Sequence, residues 1–236
     1  MLKGMSSLGS RKRPSSSGIC EAGYHSGRKT RRSLKYRLAR RTDEVRRAAA
    51  LHLRRAPHTI LDVGTADGLM LRSLGAAWPD SLRLGLDLSR DLLVAGLDPD
   101  VRLLLADAAA LPVRSASVDL LVATAVIEHV PDPLGVLIQM RDALRPGGLV
   151  VLTTPDPFWE HLATLVGHLP DEQHFETLTL PRLATLCQSA GLTVVETRRF
   201  MLSPIGLPLE HPIEELVRLL GLGFLFANQL VAAMRP

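Results

Sequence analysis

Downstream of residue 58 the chain alternates short apolar runs with longer stretches of helical periodicity. The runs at 59–63, 82–87, 101–105, 118–123 and 149–153 have the length of buried strands, and helices are predicted near 69–77, 89–96 and 133–144. The last of these is halted by Pro146-Gly147-Gly148. Strand and helix taking turns in this way predict a parallel sheet covered on both faces. After the fifth run the rhythm changes. A longer segment, 155–178, precedes a helix at 181–190 stopped by Gly191, and strands at 193–199 and 227–233 follow. The expectation is a doubly wound α/β domain on a seven-stranded, mostly parallel sheet with a closing antiparallel strand.

Upstream, Leu34, Leu38, Val45, Ala49 and Leu53 fall at spacings that line one stripe of a helix, which Pro57 ends. Residues 1–33 are rich in Ser, Gly, Arg and Lys and hold too little apolar surface to offset the entropy of ordering. The expected organisation is a disordered basic arm over 1–33, a helix over 34–56 and an α/β domain over 57–236.

Composition adds to this picture. A chain of 236 residues with 46% hydrophobic content buries one full core, and with only 4% aromatics that core is aliphatic. The net charge of +4 conceals an asymmetry: residues 1–56 carry sixteen Lys and Arg against three Asp and Glu, residues 57–236 twelve against twenty-one. Such an arm is usually solvated; the alternatives are attraction to an anionic membrane, or to nucleic acid through arginines such as Arg31, Arg32, Arg37, Arg40 and Arg41. Cys20 and Cys187 lie far apart, which argues against a disulfide framework. No secretory pattern is seen, and a reducing cytoplasm is the default location. The apolar segment from Leu219 to Met234 is broken by Asn228 and Gln229 and falls short of the roughly 18–20 residues of a bilayer span. It reads as a buried terminal element, with peripheral membrane contact as the alternative. The eight histidines are scattered, so no metal site is expected. The residues fix no oligomeric state.

The chemistry concentrates where predicted strands end. Ile60-Leu61-Asp62-Val63-Gly64-Thr65-Ala66-Asp67-Gly68 runs from strand into tight turn, and Gly64 and Gly68 let backbone approach a ligand closely. Asp62, a carboxylate at the end of an apolar strand, is costly to bury unless a partner meets it. The second strand ends in Asp87, about twenty residues on, where a carboxylate can accept both hydroxyls of a ribose. The third ends in Ala106-Asp107-Ala108, whose carboxylate can accept from an adenine amino group. Each aspartate alone could cap a helix or turn. Three at successive strand ends point to the ligand-binding edge of an open α/β sheet.

These stretches, with Leu111-Pro112, Ser117-x-Asp119, Glu128-His129-Val130 and Leu144-Arg145-Pro146-Gly147-Gly148, resemble the class I S-adenosylmethionine-dependent methyltransferases. The likeness covers about residues 58–200 and is strongest to the small-molecule branch akin to the enzymes of quinone biosynthesis. It implies a Rossmann-like fold, S-adenosylmethionine as cofactor and a small-molecule or lipid- or sugar-linked methyl acceptor. It also implies that Asp62 and Gly64, in the turn closed by Gly68, face the cofactor's amino-acid portion. Asp87 would face its ribose, Asp107 with Ala108 its adenine, and Thr124 the neighbourhood of the sulfonium. Ala66 departs from the pattern, which usually has a second glycine there.

Methyl transfer from a sulfonium is an in-line displacement that needs alignment more than catalytic groups. Where the acceptor is a hydroxyl or an acidic carbon a general base helps, and histidine suits neutral pH. His129 after the fourth strand and His174 in the segment before the next helix are the candidates; each has packing as its plainer explanation. Phe158, Trp159 and His161 stand near that segment and offer an apolar wall. A nicotinamide-dependent dehydrogenase fits less well, since Gly64-x-Ala66-x-Gly68 is not Gly-x-Gly-x-x-Gly and Asp62 would set a negative charge near a pyrophosphate. An RNA-directed methyltransferase anchored by the Arg-rich arm and a non-catalytic cofactor-binding scaffold are the remaining alternatives.

Overall fold

The computed structural model describes residues 27, 30–96, 98–159, 178–203, 205–206 and 210–236. Most of the expected disordered arm, Cys20, His161 and His174 lie outside the described residues.

The apolar runs form strands at or near the expected positions, except that the fifth starts earlier and takes in Pro146-Gly147-Gly148: β1 (Thr59–Val63), β2 (Leu82–Asp87), β3 (Arg102–Leu105), β4 (Val118–Thr124), β5 (Leu144–Pro155), β6 (Thr193–Phe200) and β7 (Asn228–Met234). Their spatial order is β3-β2-β1-β4-β5-β7-β6, and β7 runs antiparallel to both its neighbours. Chain order reverses between β1 and β4, so a crevice opens there at the carboxyl ends of the strands. Among the described residues the α-helices are α1 (Arg32–His52), α2 (Leu69–Ala77), α3 (Arg90–Ala95), α4 (Pro133–Ala143), α5 (Leu180–Ser189) and α6 (Glu210–Leu219). Side-chain hydroxyl and carboxylate caps start three of them: Ser89 for α3, Asp132 for α4 and Thr179 for α5.

Alternation along the strands decides which helix covers which face. Leu61, Val63, Leu121, Ala123, Val150 and Leu152 pack with α4 and α5. The intervening Ile60, Leu120, Val122, Leu149 and Val151 pack with Met70, Leu71 and Leu74 of α2 and with Val45, Ala48 and Ala49 of α1. Each such side chain, fully buried, contributes about 1.5–3 kcal/mol.

Two features depart from the sequence pattern. Arg40, counted among the basic residues of the N-terminal region, is 4% exposed and pairs with Glu214 at 2.6 Å, so its charge does not face solvent. Helix α6 lies between the last two strands, where the hydrophobic pattern sets no helix. It is turned inside out: Glu210 and Glu214 are buried, while Ile213, Leu216 and Leu219 are exposed. The buried carboxylates are used by the backbone, Glu214 Oε1 accepting from Met201 N at 3.0 Å and Glu210 Oε1 from Ser203 N at 3.1 Å. Burial, with the Glu210 carboxylate beside it, pushes the Tyr36 hydroxyl above its ordinary range. Among the described residues no helix is long and apolar enough to cross a membrane.

The amino edge of the sheet is fastened by Asp119. Its Oδ2 accepts from His58 N at 3.0 Å, Thr59 N at 2.8 Å and Arg145 Nη2 at 2.7 Å, and the residue is 4% exposed. Two of the motif stretches, Ser117-x-Asp119 and Leu144-Arg145-Pro146-Gly147-Gly148, therefore meet in a latch that holds the start of β1 to the start of β5.

Candidate active site at the carboxyl edge

A strand that turns sharply into a helix needs backbone conformations that most side chains disfavour. Between β1 and α2, Gly64, Ala66 and Gly68 adopt φ of 72°, 54° and 67°. A methyl group added at Gly64 would overlap Val126 Cγ2, so the loop after β4 presses directly on the turn after β1. Gly64 N and Thr65 N both donate to Leu86 O, at 2.8 and 2.9 Å, which ties the turn to β2 as well. Ala66 accepts the left-handed conformation at a cost of about 1–2 kcal/mol relative to glycine.

Asp87 completes this tie. Its Oδ2 accepts from Ala66 N at 2.7 Å and its Oδ1 from Ser89 N at 2.8 Å. An ionised carboxylate has about four acceptor sites, so two backbone donors fix its orientation and leave capacity for two more hydrogen bonds. Asp62, one strand away and 2% exposed, stands opposite Gly85 on β2 and Val122 on β4. Thr124 closes β4 opposite Thr153 of β5, and Ala125 beyond it has φ of 56° and donates its N–H to Thr153 O at 2.7 Å. Glu128, 4% exposed, and half-buried His129 sit on the 3-10 turn Ile127–His129 that follows. Asp107 lies past β3 and folds over its own turn, accepting from Ala109 N at 2.9 Å, with Ala108 buried behind it.

Residues 30–197 match the family model described as a methyltransferase domain. The chain belongs to this methyltransferase family. Among curated relatives it is 32% identical over 134 residues to the trans-aconitate 2-methyltransferase of Azoarcus sp., covering 54% of this chain and 53% of that protein. It is 31% identical over 163 residues to the ubiquinone biosynthesis O-methyltransferase of Paracidovorax citrulli, covering 62% and 68%. The chain spans about half the length of several of the curated relatives it matches. In three dimensions it is similar to an S-adenosylmethionine-dependent methyltransferase of Thermotoga maritima, with a TM-score of 0.67 and 15% identity, over 91% of this chain and 95% of that one. That last likeness speaks for the fold alone.

The family's cofactor is S-adenosylmethionine, and the edge just described fits it. The turn carries no side chain at Gly64 or Gly68, and Asp87 is oriented by two backbone donors with acceptor capacity to spare. The structure brings Asp62, Gly64, Gly68, Asp87 and Thr124 to the carboxyl ends of three adjacent strands, with His129 one turn beyond β4. Asp107 and Ala108 stand at the far side, after β3, two strands from β1. His174 is outside the described residues. Among the described residues no group of three His, Cys, Asp or Glu is placed to hold a metal.

Sequence reasoning did not single out Val126, Asn228, Arg37 or Arg41 as residues of this edge. Val126 gives no sequence signal, because its role is to fill the space that Gly64 leaves. Arg41 Nη2 donates to Asn228 Oδ1 at 3.1 Å, joining α1 to the start of β7. The signal that could have found it is the interruption of an apolar run by Asn228.

Proposed function

We propose that this chain transfers the methyl group of S-adenosylmethionine to a small-molecule or lipid- or sugar-linked acceptor, with the cofactor held at the carboxyl ends of β1, β2, β3 and β4. The observation that carries the reading is the Asp87 carboxylate, fixed by Ala66 N and Ser89 N in the crevice beside a left-handed turn. When bound, the cofactor supplies a methyl group on a sulfonium, a good leaving group.

The residues divide the rest of the work. Asp87 accepts from the ribose hydroxyls, and Asp107, with Ala108 behind it, sits beside the adenine. Asp62 and the Gly64 turn hold the amino-acid portion, and Thr124 borders the reacting centre. His129 stands on the acceptor side of β4 and serves as the base where the acceptor must lose a proton; His174 is the second candidate for that role. The relatives named for trans-aconitate, malonyl-[acyl-carrier protein] and ubiquinone biosynthesis methylation support an acceptor that is neither nucleic acid nor protein side chain.

The deciding experiment is calorimetric titration with S-adenosylhomocysteine and, separately, NAD. Wild-type protein is expected to bind the first and not the second, and Asp87→Ala to lose at least about tenfold in affinity, the value of one charge-assisted hydrogen-bond pair. Folded wild-type protein that takes neither ligand would sink the reading and favour a scaffold role.

A further inference from the structure

The face that α1 turns toward the sheet changes character along its length. Residues four and seven apart share a face of a helix, so Arg37, Arg41, Glu44, Ala48 and the neighbouring Val45 lie on one stripe. Where that stripe covers the strands, Val45 and Ala48 are fully buried against β1, β4 and β5, and the Glu44 carboxylate beside them is paired with Arg47 and Arg198. Toward the helix N-terminus it passes the end of the sheet, as the contacts of its flank record. His52 meets Glu196 in the body of β6, Glu44 meets Arg198 two residues further on, and Arg40 meets Glu214, which in turn accepts from Met201 N beyond the end of β6. Arg37 and Arg41 therefore stand above the carboxyl edge, on the sheet-facing side of the helix.

Their position across the sheet is fixed by Asn228, which accepts from Arg41 and pairs in register with Pro155 at the carboxyl end of β5. At the ordinary strand spacing of about 4.8 Å, β7 lies roughly 14 Å from β1 and its glycine turn. This is the acceptor side of the crevice and not the cradle assigned to the cofactor. Arg37, one turn beyond Arg41, is half-buried with its Nε shielded from solvent, and it has no hydrogen-bond or ion-pair partner among the described residues. Its neighbours on α1 and β6 are matched: Arg40 by Glu214, Arg47 by Glu44 and Glu196, and Arg198 by Glu44. The Arg37 guanidinium therefore keeps donors free to meet an anion.

We infer that Arg37, supported by Arg41, binds an anionic group, carboxylate or phosphate, carried by the methyl acceptor. The inference rests on the methyltransferase reading and narrows its acceptor class. A planar guanidinium suits both groups, because each offers two oxygens at the spacing of its paired N–H donors. The arginines hold and orient the acceptor through a group away from the methylated atom, which sets its distance from the reacting centre.

The test uses the full chain saturated with S-adenosylhomocysteine, titrated calorimetrically at low ionic strength with inorganic phosphate in one arm and succinate in the other. At least one of the two is expected to bind wild-type protein, about tenfold or more weakly to Arg37→Gln, and at an intermediate strength to Arg37→Lys. The exposed neighbour Lys35→Gln should bind as wild type does, which separates a site from general attraction to a basic helix. Arg37→Gln should keep its S-adenosylhomocysteine affinity and a Tm equal to or above that of wild type, since no partner is lost. If neither anion binds, or if Arg37→Gln binds both as wild type does, the assignment falls while the cofactor reading stands. If Arg37→Gln instead weakens S-adenosylhomocysteine, the arginine belongs to the cofactor's carboxylate and the acceptor assignment is overturned. Wild-type protein that takes no S-adenosylhomocysteine removes the methyltransferase reading and this assignment with it.

Discussion

The two edges of the sheet each carry an aspartate held by two backbone N–H groups, and the difference between them is what distinguishes a fastening from a site. At the amino edge, Asp119 also has Arg145, so a single buried oxygen receives three donors and the charge is neutralised within the protein. At the carboxyl edge, Asp87 has its two backbone donors on separate oxygens and, among the described residues, no paired cation. Both residues lie in motif stretches of the family, yet only the second arrangement leaves a charge oriented and incompletely satisfied. A motif residue reads as structural or functional according to what its carboxylate still lacks once the fold is made.

The largest expected effect tests the amino edge. Asp119→Ala removes the partner of a part-buried arginine and two backbone donors, and should destabilise the protein by about 3–5 kcal/mol. Denaturant titration would register this, while S-adenosylhomocysteine affinity measured on the folded fraction should hold; a matching loss of affinity would mean that the two edges are not separable. At the carboxyl edge, Gly64→Ala meets both a positive φ and Val126, and should cost about 2 kcal/mol together with weakened cofactor binding. Adding Val126→Ala in the same chain removes the overlap but not the backbone strain. Recovery of part of the lost stability, and not all of it, is the expected result.

Glu196 offers a third carboxylate, shared by Arg47 at 2.5 Å and His52 at 3.0 Å. Burial alone would raise its pKa, but those two partners outweigh it and hold the carboxyl below the usual range. A depressed carboxylate contributes stability that is complete above the unfolded value, about 4.3, and is lost as pH falls through the lower folded value. Glu196→Gln should therefore cost about 1 kcal/mol at pH 7, and the gap from wild type should close under acid. A gap that persists below pH 3 would show that the pairing is not its source. The smallest effect is a gain: Ala66→Gly relieves a left-handed alanine and should raise stability by about 0.5 kcal/mol after the added chain entropy is counted. Thermal unfolding would detect it, and a fall in Tm would show that the alanine methyl packs usefully in the turn.

Much of this architecture was legible because the strands state their own alternation. β1 and β2 begin and end where their apolar runs do, and α3, α4 and α5 begin at residues whose side chains accept from the first turn. The three aspartates at strand ends were legible for the same reason: each interrupts an apolar run at a position where parallel strands open toward a ligand. Helix α6 was not, since its hydrophobic face is the exposed one and Glu210 and Glu214 are its buried residues. Patterns of hydrophobic burial cannot reveal a helix anchored by backbone N–H groups to carboxylates. Arg37 and Arg41 were hidden differently. In the sequence they merge with a basic run, and only the path of α1 past the end of the sheet separates them from it.

The insertion of β7 between β5 and β6 has a consequence for the order in which the molecule assembles. β6 follows β5 in the chain but has no hydrogen-bonded contact with it; its sheet partner is β7, made later. As the polypeptide emerges from the ribosome, β1 to β5 can pair progressively, while β6 and the inner flank of β5 stay without neighbours until residues 228–234 arrive. The contact of α1 with Asn228 likewise waits for that segment. The β7–β6 side of the carboxyl edge is thus the last part of the sheet to form, and a nascent chain stalled before β7 would hold the glycine turn after β1 without that flank.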